Sequence, residues 1–405
     1  MVRTLPLGLA EALKMTFDRI QPLPVEDVAL LDGLDRALAA DVCAKVDSPS
    51  IHASLKDGYA VMASQVAGAT RERPAQLKLA GCVAAGGRAD AIVSPGTTVR
   101  VLTGARIPDG ADAVVAEEYA ATNADTISFF RDAEPGRNIL PKSSDVALDQ
   151  IVARRGERLS PGLVGLLAAA GHDRLPVVRS PDVAIVATGD EVVAPGQPLP
   201  EGKLFASNIT TLAGWCRRYG MRTQLAVVKD QADRISDTLS QFVAQSDAVI
   251  TSGGAWTGDR DLVAQILERL GWQQAFHRIR IGPGKAVGFG TLQEKPIFIL
   301  PGGPPSNLMG FLQIALPGLL KLAGHQYCGL PVINVRLACQ FTGRFADWTQ
   351  FTYGTLEASP EVQIFHPLVG KSRLRSMAEA QAVVAIPEGQ TLLAANSVVQ
   401  AQLLT

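Results

Sequence analysis

Three acids in this chain each follow a short apolar, β-prone run: Glu191 after residues 183–187, Asp230 after 224–228, and Asp261 beyond 248–251. Carboxylates that converge on one crevice can hold a hard divalent cation such as Mg²⁺, which neutralises substrate phosphates. The same exits carry small and hydroxyl residues: Thr188-Gly189-Asp190-Glu191, then Ser252-Gly253-Gly254 with Trp256 and Gly258, then Pro301-Gly302-Gly303-Pro304-Pro305-Ser306. Glycines leave backbone N–H groups uncovered, and a helix expected from about Asp261 offers its positive dipole end; together they suit a phosphate. Taken singly, Asp230 and Asp261 are as well explained as helix N-caps. Lys285, in Gly282-Pro283-Gly284-Lys285, either holds an anionic oxygen as a point charge or is an exposed turn lysine.

The elements that must position these residues run from about 181 to 324. Apolar strands at 183–187, 224–228, 248–251, 276–281 and 296–300 alternate with helices at 209–219, 232–245, 261–270 and 306–322. That spacing predicts βαβ units and a mainly parallel, doubly wound sheet, with ligands bound beyond the carboxyl ends of its strands. Upstream, three- and four-residue apolar spacing predicts amphipathic helices at 9–20 and 26–40. Ser160-Pro161 opens a further helix that Gly171 closes. From Ser48 to about Val146 short runs at 76–79, 97–102, 113–116 and 126–130 read as strands, with 54–61 and 102–112 as turns. A β pattern returns after Gly329 at 332–337, 349–357, 362–367, 382–386 and 398–403. The expected fold is therefore α/β and β, multidomain: 1–47 with 147–180 helical, 48–146 β, 181–328 α/β and 329–405 β.

Composition excludes several classes. Lys plus Arg number 38 against 39 Asp plus Glu, so no overall field attracts nucleic acid or an anionic membrane. Five scattered cysteines without a Cys-x-x-Cys pair suit neither a disulfide framework nor a zinc site, which points to the reduced cytoplasm. The histidines are isolated, and neither a Walker A pattern nor Gly-x-Gly-x-x-Gly follows a strand. No charge falls between Lys295 and Lys321, but the Gly/Pro run at 301–305 breaks that stretch well short of a membrane span. The N-terminal segment reads as an amphipathic helix and not as a signal peptide.

In order along the chain stand Ser54 with Asp57-Gly58-Tyr59-Ala60-Val61, Thr103-Gly104-Ala105 with Pro108, and Gly110-Ala111-Asp112-Ala113-Val114-Val115 with Glu118. Asn138-Ile139, Asp145, Thr188-Gly189-Asp190-Glu191, Ser207-Asn208, Ser252-Gly253-Gly254 with Gly258 and Asp261, Pro283-Gly284-Lys285 and Leu300-Pro301-Gly302 with Pro304 and Ser306 follow. With this series the sequence resembles, nearly end to end, the molybdopterin molybdenumtransferase family. Its members perform the last step of molybdenum cofactor synthesis, and it includes the C-terminal domain of the scaffold protein gephyrin. The resemblance implies an α/β molybdopterin-binding domain, a C-terminal β barrel and an elongated homodimer. Its active cleft would lie between the α/β region of one subunit and the β region of the other.

The implied substrates are molybdate and adenylylated molybdopterin, with AMP released, Mg²⁺ as the metal, and the adenylylating enzyme and recipient molybdoenzymes as partners. By match, Asp57, Thr103, Asp145, Asp230, Asp261 and Lys285 are the catalytic set and Glu191, Asp230 and Asp261 the metal ligands. Thr188, Gly189, Ser252, Gly253, Gly254, Gly258, Pro301, Gly302 and Ser306 would bind the pterin substrate. The sequence departs from the family at Leu140 (usually Arg), Gly282 (usually Lys), Trp256, Gly303, Ala206, Lys56, Ser143-Ser144 and Gln350. Losing two cations while keeping the acids admits a second reading, a non-catalytic relative that carries molybdopterin or the finished cofactor. Lys142 and Lys56 are the residues available to compensate.

Overall fold

The computed structural model describes residues 7–87, 90–253, 262–368 and 373–404. Helix Leu9–Arg19 forms as its apolar spacing predicts, but the second expected helix does not. Residues Val25–Ala29 are instead a strand paired antiparallel with Arg174–Val178, followed by a single 3-10 turn at Leu30–Gly33. Helical spacing there is overridden by a ladder whose partner lies some 150 residues away, which no local pattern reveals. The Ser160 cap forms as read: its side chain accepts from the Leu163 N–H at 3.2 Å, with Pro161 in the first turn of helix Pro161–Ala169.

The next region is a six-stranded sheet in the order 113–116, 58–61, 97–101, 75–83, 126–129, 120–123. Residues Gly58–Val61, expected as part of a turn, are a central strand buried at every position. With both faces covered the strand shows no polar alternation to announce it. Gly58 is required there, because a Cβ would lie 2.2 Å from the Val115 carbonyl oxygen.

In the α/β region we label β1 Asp182–Thr188, α1 Ser207–Arg218, β2 Arg222–Val228, α2 Ala232–Gln245 and β3 Ala248–Ser252. Continuing, α3 is Leu262–Arg269, β4 Gln273–His277, β5 Gly288–Leu292, β6 Lys295–Leu300 and α4 Pro304–Gly310. The sheet order is β2-β1-β3-β6-β5-β4, parallel from β2 to β6 and antiparallel across β5 and β4. The expected strand 276–281 thus ends at His277, and Gly-containing β5 is an addition to the sequence reading. Beyond α4 the helix continues through a π turn, Phe311–Ala315, to Leu316–Leu322. Pro317 has no N–H to give Gln313, which accounts for the widened turn.

Near the C-terminus, strands Thr349–Glu357, Ile364–Pro367, Val332–Leu337, Val398–Leu403 and Ala382–Ile386 pair in that order. The last returns to the first, closing a five-stranded barrel. A two-residue strand, Ile281–Gly282, leaves the α/β region and pairs in parallel with Thr349–Gln350 of that barrel. Helix Arg373–Glu379 is an element the alternating pattern did not show. Among the described residues no helix is long and apolar enough to cross a membrane, and the apolar stretch from Lys295 is the expected strand, loop and buried helix.

Candidate active site

The chain lays β2 on one side of β1 and then returns to lay β3 on the other, so the strand order reverses between β1 and β3. Loops at such a point diverge and leave a crevice above the carboxyl ends. The register sets those ends level: Thr188 is opposite Val228, Ala187 opposite Ser252, and Ser252 opposite Leu300. A cleft of about 120 Å³ opens there, bounded by Thr188, Glu191, Asn208, Ser252, Gly253 and Gly302.

Its floor is fixed by two asparagine amides. Asn307 Nδ2 donates to Ser252 Oγ at 3.0 Å and to the Pro301 carbonyl at 2.9 Å. Asn208 Nδ2 donates to the same Ser252 Oγ at 3.3 Å and to the Gly302 carbonyl at 2.8 Å. Ser252 Oγ therefore accepts twice, and its own hydrogen has no acceptor among the described residues. Thr188 Oγ1 is buried without a hydrogen-bond partner among them. A buried hydroxyl without a partner is costly unless a ligand supplies one. Gly253, at φ +98°, passes so close to β1 that a Cβ would sit 2.5 Å from the Thr188 carbonyl oxygen. Asn307 was absent from the sequence reading; its only local mark is a position just inside a helix opened by two prolines.

The acids line one rim. The Asp230 N–H donates to Asp190 Oδ1 at 3.3 Å, and Lys203 Nζ to the Asp190 carbonyl at 2.7 Å. Burial, then the neighbouring charges of Asp190 and Glu191, push the Asp230 carboxyl above the usual carboxylate range. Asp230 is not a helix cap: Gln231 holds that position ahead of α2. Asp190, quoted in the sequence only as part of the Thr188–Glu191 run and given no role, is thus the acid in contact with Asp230. Gly254, Trp256, Gly258 and Asp261 lie outside the described residues. Among the described residues no group of three or more His, Cys, Asp or Glu side chains is arranged to hold a metal. The expected trio of Glu191, Asp230 and Asp261 includes one residue outside the described ones, so only Glu191 and Asp230 are placed.

Lys285 is exposed in a turn whose carbonyl accepts from the Ile279 N–H at 3.0 Å. A Cβ on Gly284 would lie 3.3 Å from the Ser306 carbonyl oxygen and 3.3 Å from the Gly310 nitrogen, so this turn sits against α4. In the β region, Asp57 accepts from the Thr103 N–H at 2.6 Å and from its hydroxyl at 2.8 Å, which holds the Asp57 carboxyl below its usual range. The Asp145 side chain is exposed, and its N–H donates to the Ser48 carbonyl at 2.9 Å. Asp57 and Thr103 are brought together, and the residues at the strand exits are brought together. Among the described residues no hydrogen bond joins the two groups.

Residues 7–171 match the family model described as MoeA N-terminal region (domain I and II), and residues 184–321 the one described as probable molybdopterin binding domain. The chain is 31% identical over 385 residues to a molybdopterin molybdenumtransferase of Mycobacterium tuberculosis, covering 93% of this chain and 95% of the relative. It belongs to the molybdopterin molybdenumtransferase family. The Bacillus subtilis molybdopterin molybdenumtransferase is 30% identical over 395 residues, 95% of this chain and 91% of that one. A molybdopterin biosynthesis MoeA protein of Pyrococcus horikoshii has the same fold, with TM-score 0.83 and 28% identity over 98% of this chain and 99% of that one.

Within this family fold the departures have definite places. Leu140 is half-buried in a short strand opposite Ala53. Lys142 is already paired with Asp47 at 3.0 Å, so it does not replace the missing cation. Gly282 lies in the strand that joins the barrel, opposite Gln350. Gln350 braces a barrel loop, its carbonyl accepting from the Arg344 N–H at 2.6 Å and its amide donating to the Phe345 carbonyl at 2.8 Å. Gly303 precedes α4 with open space around it, and Ala206 starts α1 without a side-chain cap.

Proposed function

We propose that this chain is itself a molybdopterin molybdenumtransferase, taking adenylylated molybdopterin and molybdate and releasing AMP as molybdenum joins the dithiolene. The observation that carries the reading is the crevice between β1 and β3. The uncommitted Ser252 hydrogen and the unpartnered Thr188 hydroxyl are ready for ligand oxygens, and Gly253 leaves the backbone bare for close approach. Mg²⁺ suits the acidic rim, where the Asp230 N–H meets Asp190 Oδ1 at 3.3 Å and where burial first, then the charges of Asp190 and Glu191, disfavour a bare Asp230 carboxylate that a cation would stabilise. Glu191 and Asp230, with Asp261, would hold it; when bound, Mg²⁺ neutralises charge on the phosphoanhydride. Lys285 would steady an anionic oxygen as AMP leaves.

We place the protein in the cytoplasm as a homodimer, with Asp57, Thr103 and Asp145 of one subunit facing the crevice of the other. That arrangement is the one the family resemblance implies, with the cleft between the α/β region of one subunit and the β region of the other. Its partners would be the adenylylating enzyme and recipient molybdoenzymes. The test is incubation with adenylylated molybdopterin, Mg²⁺ and molybdate, following AMP and the molybdenum-dithiolene product. Both should appear, and Asp230→Ala should reduce AMP release at least about 100-fold. Tight substrate binding with no AMP would overturn the transferase in favour of a carrier, the reading that the pairing of Lys142 with Asp47 favours.

A further inference from the structure

The β region carries a second cleft, of about 200 Å³, remote in sequence from the crevice between β1 and β3. Its floor is the fully buried strand Ala113–Ala116, and three cations, Lys56, Arg131 and Arg137, stand around it. Among the described residues none of the three has a carboxylate within ion-pair distance. Three other cations of this region are matched, Arg100 with Glu117 at 3.3 Å, Lys78 with Asp125 at 3.6 Å and Lys142 with Asp47 at 3.0 Å. Lys56, Arg131 and Arg137 differ from Arg71, Arg73 and Arg106, also unmatched among the described residues, in lining one cleft together. Glu118 and Asp132 also line the cleft, which leaves its formal charge at +1.

The cations are carried on fixed supports. Arg131 lies 4.7 Å over the Tyr119 ring, a stack that holds a guanidinium without consuming its charge. Arg137 is held by its own backbone: its N–H donates to the Glu134 carbonyl at 3.1 Å and its carbonyl accepts from Val114 at 2.9 Å. The next residue, Asn138, adopts φ +55° and donates from Nδ2 to the Val114 carbonyl at 2.8 Å. Lys56 adjoins Asp57, whose carboxylate is committed to Thr103 and so does not compete for the lysine.

We infer that this cleft binds a tetrahedral dianion, molybdate or the phosphate of a nucleotide, with Arg131 and Arg137 as its principal donors. Two planar guanidinium forks and an ammonium suit four oxygens on a small sphere of negative charge. The cleft would supply guanidinium donors, which are not among the described residues lining the acid-rimmed crevice between β1 and β3. That the dianion serves molybdenum transfer rests on the function proposed above; that a dianion binds here does not.

The test is titration calorimetry of the full chain with sodium molybdate, and separately with inorganic phosphate and AMP, at low and high salt. Molybdate or phosphate should bind, more weakly at high salt. Arg131→Gln and Arg137→Gln should each weaken binding about ten-fold, Arg137→Lys should weaken it less, and Lys78→Gln should leave it unchanged. Preference for molybdate identifies the metalate, and competition by AMP identifies the nucleotide phosphate. Wild-type protein that binds neither ion, or a folded Arg131→Gln/Arg137→Gln double variant that binds with wild-type affinity, overturns the site. Molybdate binding without AMP release would remove the transferase reading and leave the site standing.

Discussion

The buried amide of Asn307 reaches Ser252 Oγ at 3.0 Å, joining the helix after β6 to the end of β3 across the floor of the crevice. The same nitrogen holds the Pro301 carbonyl, so removing it strands that buried acceptor and leaves Ser252 Oγ with the longer bond from Asn208 alone. Asn307→Ala should therefore cost about 2–3 kcal/mol in denaturant unfolding and weaken binding of adenylylated molybdopterin. Unchanged stability would mean that Asn208 alone holds Ser252.

Two glycines of the same crevice should behave oppositely. Gly253→Ala brings a Cβ to 2.5 Å from the Thr188 carbonyl oxygen at φ +98°, and should cost about 1–3 kcal/mol and most of the ligand affinity. Gly303→Ala meets nothing within 4 Å at φ −69°, and should stay within about 0.5 kcal/mol of wild type. Thermal unfolding of the pair separates backbone strain from mere crowding of the loop.

Asp47 should shape the acid limb of stability. The Leu148 N–H first, then Lys142 and Ser143, lower its carboxyl from 3.8 to about 2. A depressed acid stabilises the fold above its unfolded value and loses that contribution as pH falls towards the folded one. Asp47→Asn should flatten the decline of the urea midpoint between pH 3.8 and about pH 2. A slope identical to wild type would assign that decline to other carboxylates.

His325, 7% exposed, is a second titrating group, because burial first and the Arg158 charge second lower it from 6.5 to about 4. The unfolded chain takes up a proton below pH 6.5 that the folded chain accepts only near pH 4, so stability falls across that window as pH drops. At its acid end the loss is about 2–3 kcal/mol. His325→Phe should remove most of this slope in unfolding measured from pH 7 to pH 4.

The α/β loops were legible because their signals are local: helix Ala232–Gln245 follows its apolar spacing, and the glycine and hydroxyl exits follow their strands directly. The strand Val25–Ala29 was not, since its partner Arg174–Val178 is far along the chain. Gly58–Val61 was hidden by burial on both faces and by an Asp-Gly start that looks like a turn. In the site, Thr188, Ser252 and Gly253 could be read from type and position. The tie from Asn307 to Ser252 could not, because it spans 55 residues and depends on how β6 lies beside β3.

Ile281–Gly282, paired with Thr349–Gln350, makes the C-terminal barrel a mechanical anchor for chemistry performed elsewhere. Lys285 stands three residues past that joint, on a turn wedged against α4. A tilt of the barrel would be transmitted along this strap to the lysine, whereas Thr188 and Ser252, seated in the sheet, would stay in place. The barrel supplies none of the crevice's named hydroxyls, and its bearing on the site would run through this one strap of main chain.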